Sequence, residues 1–371
     1  MTTLSPPQTQ INSVIALYSN GQIQEALNAV ETLIKDYPNE PVLYNISGIC
    51  YKTIGKLDKA VKSFEKALAF KSDYAEVHYN LGVTLQELGQ LDTAVKSYEK
   101  ALSIKPDYAI AFNNLGLALQ ELGQLNAAVT CYEKALIIKP NFADACNNLG
   151  ITFKNLGQLK SAVTSYEKAI AIKPDYAEAY NNLGNVFMIL DHIDSAVKCF
   201  ERAIEIKPNY AEAHNNLGNA LTNLDQLDVA KNCYDRAITL KPDYVDAHYN
   251  LGNTLKKLSQ LDAAVKCYEK TLTIKPDYAE VHNNLGLALM ELGQPEASIR
   301  SFEKALAFKP DFAQAYQNYG NTFYKFMRFD EALTSFERAL VLNPELNFLL
   351  GISLHTKMHL CIWDDLPNRL N

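Results

Sequence analysis

From Pro41 to Leu346 the chain repeats itself every 34 residues. A fixed period of that length is met by stacked supersecondary units, each touching only its neighbours, rather than by a globule around one pocket. Copies begin at Pro41, Ala75, Ala109, Ala143, Ala177, Ala211, Val245, Ala279 and Ala313, and a weaker one in the same phase begins at Pro7. These boundaries divide the chain into a tail 1–6, a divergent N-terminal repeat 7–40, nine repeats over 41–346 and a C-terminal segment 347–371.

Within the copy Ala211 to Tyr244, apolar residues fall at Leu217, Leu221, Leu224, Leu227, Ala230, Tyr234, Ala237, Ile238 and Leu240. Spacings of three and four mark two amphipathic helices, the first ending near position 14 of the repeat. Position 15 is often Gly (Gly89, Gly123, Gly157, Gly293), suited to the left-handed conformation that stops a helix. Position 8 is Gly from Gly48 through Gly320 and position 20 is nearly always Ala, so the two helices approach closely. An aromatic at position 24 fills the space beside them.

The junction Lys-Pro-Asp-Tyr recurs at Lys105–Tyr108, Lys173–Tyr176, Lys241–Tyr244 and Lys275–Tyr278. Lys suits the negative end of the preceding helix, and Pro stops that helix. Asp is expected to cap the next helix, with an acid three residues on as a capping box: Asp175 with Glu178, Asp277 with Glu280.

Leu at 7, Gly at 8, Ala at 20, aromatics at 4 and 24, Ala at 27 and Pro at 32 together resemble the tetratricopeptide repeat family over almost the whole chain. Ser72, Ser298, Thr271 and Val14 are the departures at positions 32, 20, 27 and 8. The resemblance implies an all-α fold, a right-handed α-solenoid superhelix of about ten helix-turn-helix repeats, closed by a C-terminal helix. Its first helices are expected to line a concave groove.

Position 6 is Asn in eight successive repeats: Asn80, Asn114, Asn148, Asn182, Asn216, Asn250, Asn284 and Asn318. Position 5 is Asn at Asn113, Asn147, Asn181, Asn215 and Asn283. Asn is a mediocre helix former, so the column has another use. A carboxamide matches a peptide unit whatever the side chain it carries, and a column of them can hold an extended polypeptide. The competing reading is that each Asn bonds the neighbouring repeat; the two are compatible.

Many near-identical units with an asparagine ladder resemble the superhelical arm of the O-linked N-acetylglucosamine transferases and their SPINDLY-like relatives. That resemblance implies contact between the eight position-6 residues and the backbone of protein substrates. The tail, NFLLGISLHTKMHLCIWDDLPNRLN, resembles the family's stretch joining repeats to catalytic domain, with Cys361, Trp363 and Asp364 in place. Eight residues follow Trp363, so the two-lobed catalytic region lies outside this chain, as in a fragment or in a short protein. Some relatives self-associate through the convex face, which makes a homodimer an expectation of the resemblance.

Other chemistry finds little support. With 35 basic against 42 acidic residues the net charge is −7, contrary to a phosphate-tracking surface, so no nucleic-acid partner is expected. No apolar run reaches the length of a membrane span, and the N-terminus lacks a secretory pattern, so a cytoplasmic protein is expected. His355, His359 and Cys361 have no convergent metal-ligand spacing. His78, His214, His248 and His282 are separated by at least one whole repeat and read as partly buried imidazoles. The column Cys131, Cys199, Cys233, Cys267 is too widely spaced to pair and reads as free thiols. No triad or phosphate loop appears, and neither metal nor cofactor is expected. A carboxylate clamp would need cations at positions 2, 5 or 6, where the chain has Glu178, Glu212, Asp246 and Asn or Tyr. The reading is a non-catalytic protein-recognition module for extended polypeptide, with a stand-alone assembly scaffold as the alternative.

Overall fold

The computed structural model describes residues 6–362. Trp363 and Asp364, which carried part of the resemblance in the tail, lie outside them. Among the described residues there are twenty-one helices and no strand. They form ten antiparallel pairs in series, from Gln8–Ser19 with Ile23–Asp36 to Ala313–Lys325 with Phe329–Leu342, followed by Asn347–His359. This is the α-solenoid class of fold. The chain divides into two compact units, 1–186 and 187–371.

The interior of a pair follows from two positions. At Gly82, Gly116, Gly150, Gly218 and Gly252 an added Cβ would stand 2.6–2.7 Å from the ring of Tyr98, Tyr132, Tyr166, Tyr234 and Tyr268 respectively. Those rings are fully buried. Glycine is required here because the ring of one helix lies on the backbone of the other. Ser298, in place of the small Ala, is accommodated because its hydroxyl donates to the Gly286 carbonyl at 2.7 Å. Thr271 likewise donates to the Cys267 carbonyl at 2.8 Å.

First helices stop where the left-handed residue falls. Gly55, Gly89, Gly123 and Gly157 have φ of 72–75°, and Asp191, Asp225, Ser259 and Met327 hold the same position at 58–61°.

The junction corrects one expectation. The N-cap residue of the first helix is the aromatic, as at Tyr108, Tyr244 and Tyr278, with no side-chain cap bond. Asp277 therefore precedes the cap, and Glu280 makes no capping box with it. The reason is a turn: the Tyr244 N–H donates to the Lys241 carbonyl at 3.0 Å, so Pro and Asp occupy its two central positions. Asp175 is placed likewise, with the Tyr176 N–H on the Lys173 carbonyl at 3.1 Å. The Lys ammonium then lies 4.3–5.1 Å from the centre of the cap ring in eight successive junctions, Lys71 over Tyr74 through Lys309 over Phe312. Glu280 pairs instead with Lys309 at 2.9 Å, which holds its carboxyl below the usual range.

The position-4 imidazoles tie the same turn to the helix that follows it. Nε2 of His214, His248 and His282 bonds the carbonyl of Pro208, Pro242 and Pro276 at 2.9–3.0 Å, and His78 meets Ser72 O at 2.9 Å. All seven cysteines are free, and burial pushes the thiols of Cys131, Cys233 and Cys267 up to about 11. Thiols held protonated in this way are packing groups, not nucleophiles.

Candidate functional site

The asparagine column lies on the first helices, and within each unit first helices of successive repeats also touch one another. Position-6 residues are half-exposed from Asn80 to Asn284, and Asn318 is buried. Position-5 asparagines are buried. The amides of Asn80, Asn114, Asn148, Asn182, Asn250, Asn284 and Asn318 reach back to position 5 of the preceding repeat. In the first unit Asn80, Asn148 and Asn182 donate through Nδ2 to Oδ1 of Asn45, Asn113 and Asn147, all at 3.1 Å. Asn114 donates to the Tyr79 hydroxyl at 3.0 Å, because Tyr takes position 5 there. In the second unit Asn250 donates to Asn215 at 3.1 Å and Asn318 to Asn283 at 2.9 Å. Asn284 donates to the Tyr249 hydroxyl at 3.1 Å and to Asn253 Oδ1 at 3.0 Å. Asn216 shares the register, and its Oδ1 accepts from Asn215 at 3.4 Å.

The ladder therefore consists of inter-repeat rungs. A rung uses one of two amide hydrogens. Among the described residues the Oδ1 atoms of Asn80, Asn148, Asn182 and Asn250 accept from no protein group. Each of these four carboxamides is held in orientation by the rung and keeps one donor and one acceptor for a guest. The side chains that join the repeats are thus the same ones that keep polar groups unused.

Beside the ladder lies a second layer that the position-6 column alone does not reveal. The buried position-24 tyrosines send their hydroxyls to this face. Tyr98 and Tyr132 donate to Gln86 and Gln120 at 3.0 and 3.4 Å. Tyr234 and Tyr268 donate to Asn219 and Asn253, both at 2.8 Å. The Tyr166 hydroxyl is buried without a partner; the corresponding sites hold Ile151, Lys154 and Val186, none of which accepts a hydrogen bond. In the second unit an open cleft of about 510 Å³ is lined by Asn219, Thr222, Asn223, Asn250, Asn253 and the pair Lys256 and Lys257, among others. The recurrence of Asn at position 9 (Asn185, Asn219, Asn253, Asn321) was the available sequence signal for it.

The C-terminal histidines are packing groups. His359 stacks on Phe329 at 4.5 Å between centroids, and His355 Nδ1 meets the Tyr324 hydroxyl at 2.7 Å. Among the described residues no group of three potential ligands converges, and no helix is long and apolar enough to cross a membrane.

A family model described as TPR repeat matches residues 48–89, 87–123, 152–191, 219–259 and 252–293, more than half of the chain. Models described as tetratricopeptide repeat match 109–142, 177–210, 279–312, 199–231 and 313–346. No curated protein matches. Among solved structures, the APC/C hetero-tetramer Cut9-Hcn1 is similar at TM-score 0.54 and 14% identity, over 94% of this chain and 83% of that one. Pseudomonas aeruginosa pilF is similar at TM-score 0.52 and 20% identity, over 57% and 96%. YrrB, described as a TPR protein with an unusual peptide-binding site, gives 0.44 at 24% identity, over 50% and 95%.

Proposed function

The chain belongs to the tetratricopeptide repeat family, and on that premise we propose that it is a protein-recognition module that holds an extended polypeptide along its first-helix face. The observation that carries the reading is the rung geometry. Asn80, Asn148, Asn182 and Asn250 are each fixed by one bond to the preceding repeat while half-exposed, with a donor and an acceptor to spare. Pre-fixed amides lose little freedom when they bind, which is how a weak contact repeated many times gains affinity. Such contacts read main chain rather than side chain.

The finer reading is a substrate-selecting arm like that of the O-linked N-acetylglucosamine transferases, supported by the four residues above with Asn114 and Asn216 in the same register; Asn284, with both amide hydrogens used, and Asn318, buried, serve as rungs alone. Guest selection in this reading comes from the residues that flank the ladder.

The test is a titration of short Gly-Ser peptides, with binding read by amide shifts. Alternate N-methylation, which removes main-chain donors and keeps the side chains, should weaken binding by about tenfold, as should Asn182→Ala, Asn216→Ala and Asn250→Ala combined. Because these substitutions also break rungs, the melting temperature falls as well, and binding must be compared well below it. Unchanged affinity in both arms refutes the proposal.

A further inference from the structure

We propose that the cleft formed by the repeats starting at Ala211, Val245 and Ala279 takes a carboxylate side chain, so that the second unit selects extended peptides carrying Asp or Glu. The inference rests on the peptide-binding reading and adds a chemistry to it.

Three observations converge. The first is the orientation of the amides. Tyr268 and Asn284 both donate to Asn253 Oδ1, and Tyr234 donates to Asn219 Oδ1. Asn253 Oδ1 is thereby filled and Asn219 Oδ1 is turned to the tyrosine, so what these two residues chiefly offer is their NH₂ groups, which make no bond among the described residues. The second is the charge. The cleft lining contains Lys256 and Lys257 and no acid. Neither ammonium lies in an ion pair among the described residues. At two junctions of the first unit the same positions are mutually satisfied: Lys52 meets Glu87 at 3.1 Å, and Gln86 donates to Glu121 at 2.7 Å. At the position of Glu87 the second unit has Lys257, and the residue before it in that relation is Thr222, which has no charge to offer. Lys256 stands in the same relation to Glu291, yet no ion pair joins them.

The third is the balance of groups. Two lysines and the NH₂ groups of Asn219 and Asn253 make a set of donors in excess of acceptors, and a carboxylate, with two oxygens and no donor, is the complementary group of a peptide. A main-chain carbonyl alone would leave both cations unmatched. The chain carries −7, so its general field repels an acidic guest, and any preference for one has to arise locally.

The experiment uses the full chain and two labelled peptides, acetylated and amidated at their ends so that no terminal carboxylate takes part. One alternates Ser with Asp, the other Ser with Asn. By fluorescence anisotropy at low salt the Asp peptide should bind about tenfold more tightly, the gap closing as ionic strength rises. Lys256→Glu with Lys257→Glu should abolish the gap and leave the Asn peptide within about twofold. Lys266→Glu with Lys270→Glu, the same charge change at exposed sites on the second helix of that repeat, should leave the gap intact. Equal affinity of the two peptides for the wild type, or a gap lost equally with either lysine pair, overturns the proposal while the peptide-binding reading stands. If neither peptide binds, both fall together.

Discussion

In the unit that ends at Val186, position 9 of successive first helices is Ile49, Val83, Leu117, Ile151 and only then Asn185, and position 13, at the edge beyond it, is Thr53, Glu87, Glu121 and Asn155. In the unit that starts at Phe187, position 9 is Asn219, Asn253, Leu287 and Asn321, and the edge carries Asn223, Lys257, Glu291 and Lys325. The rungs between them are alike, Asn148 to Asn113 in one and Asn250 to Asn215 in the other, both at 3.1 Å. A constant ladder with a variable border separates two tasks that most binding sites mix. On the proposed function, the ladder would deal with main chain and the border with side chains. The exchange at position 9 is possible because the tyrosine hydroxyl beneath can use Gln at position 12 or Asn at position 9.

The largest effect is expected where the units agree. Burial raises the phenols of Tyr98, Tyr132, Tyr166 and Tyr268, and pushes Tyr234 up to about 12. An unfolded phenol ionises near 10. Between those values the folded chain binds more protons than the unfolded one, so stability is fully present below about pH 10 and falls as pH rises through the folded values. Both units should unfold in strong alkali, with tyrosinate absorbance appearing together with loss of helix. Tyrosinate that appears while helix signal is intact would show these rings to be accessible.

Next in size is the shared interior. Gly116→Ala and Gly252→Ala each push a Cβ to 2.6–2.7 Å from a buried ring, Tyr132 or Tyr268. Overpacking of this kind costs about 1–3 kcal/mol, and denaturant melts should show equal losses in the two units. A marked inequality would mean that the units differ in their cores and not only at their borders.

A smaller effect separates them. Asn253→Ala strips the acceptor from both the Tyr268 hydroxyl and Asn284 Nδ2. Gln86→Ala strips it from the Tyr98 hydroxyl and removes the rim donor to Glu121. Unpartnered buried polar groups cost about 1–3 kcal/mol. Asn253→Ala should therefore approach 2 kcal/mol and Gln86→Ala about 1, because the rim bond is exposed. The reverse order in chemical denaturation would show that the second-unit network is not the tighter one.

Much of this was readable in the residues themselves. The helix pairs, the Gly-ring contact at positions 8 and 24 and the left-handed stop at position 15 all follow from local period and sterics. The ladder was visible as a column, but its partners were not. Asn80 bonds Asn45 and Asn148 bonds Asn113, pairs 35 apart, one more than the period. Inspecting one column at a time hides a bond that joins two adjacent columns across repeats. The cap was misplaced for a related reason: Asp243 has the right chemistry for capping, but the turn closed from Lys241 to Tyr244 moves the helix start one residue on. The donor-rich cleft needs knowledge of which amide oxygens the tyrosines occupy, and no spacing encodes that.

The smallest expected effect lies in the turns, where the units also part. The first unit has glycine at each left-handed stop from Gly21 to Gly157, whereas the second has Asp191, Asp225, Ser259 and Met327, with Gly293 alone of the earlier type. A side chain in that conformation costs about 1–2 kcal/mol. Glycine would relieve the cost but gives the unfolded chain more freedom, which returns up to about 1 kcal/mol. Met327 is the clearest case, at φ 59° and 79% exposed, with little packing to lose. Met327→Gly should stabilise the chain by about 0.5–1 kcal/mol, whereas Gly157→Ala should destabilise it by a similar amount. Asp225→Gly should gain less than Met327→Gly, because Asp tolerates the left-handed region better than an unbranched apolar side chain does. A loss of stability in Met327→Gly, read from thermal melts of the two variants side by side, would mean that the second unit's turns contribute through their side chains and are not merely strained versions of the first unit's.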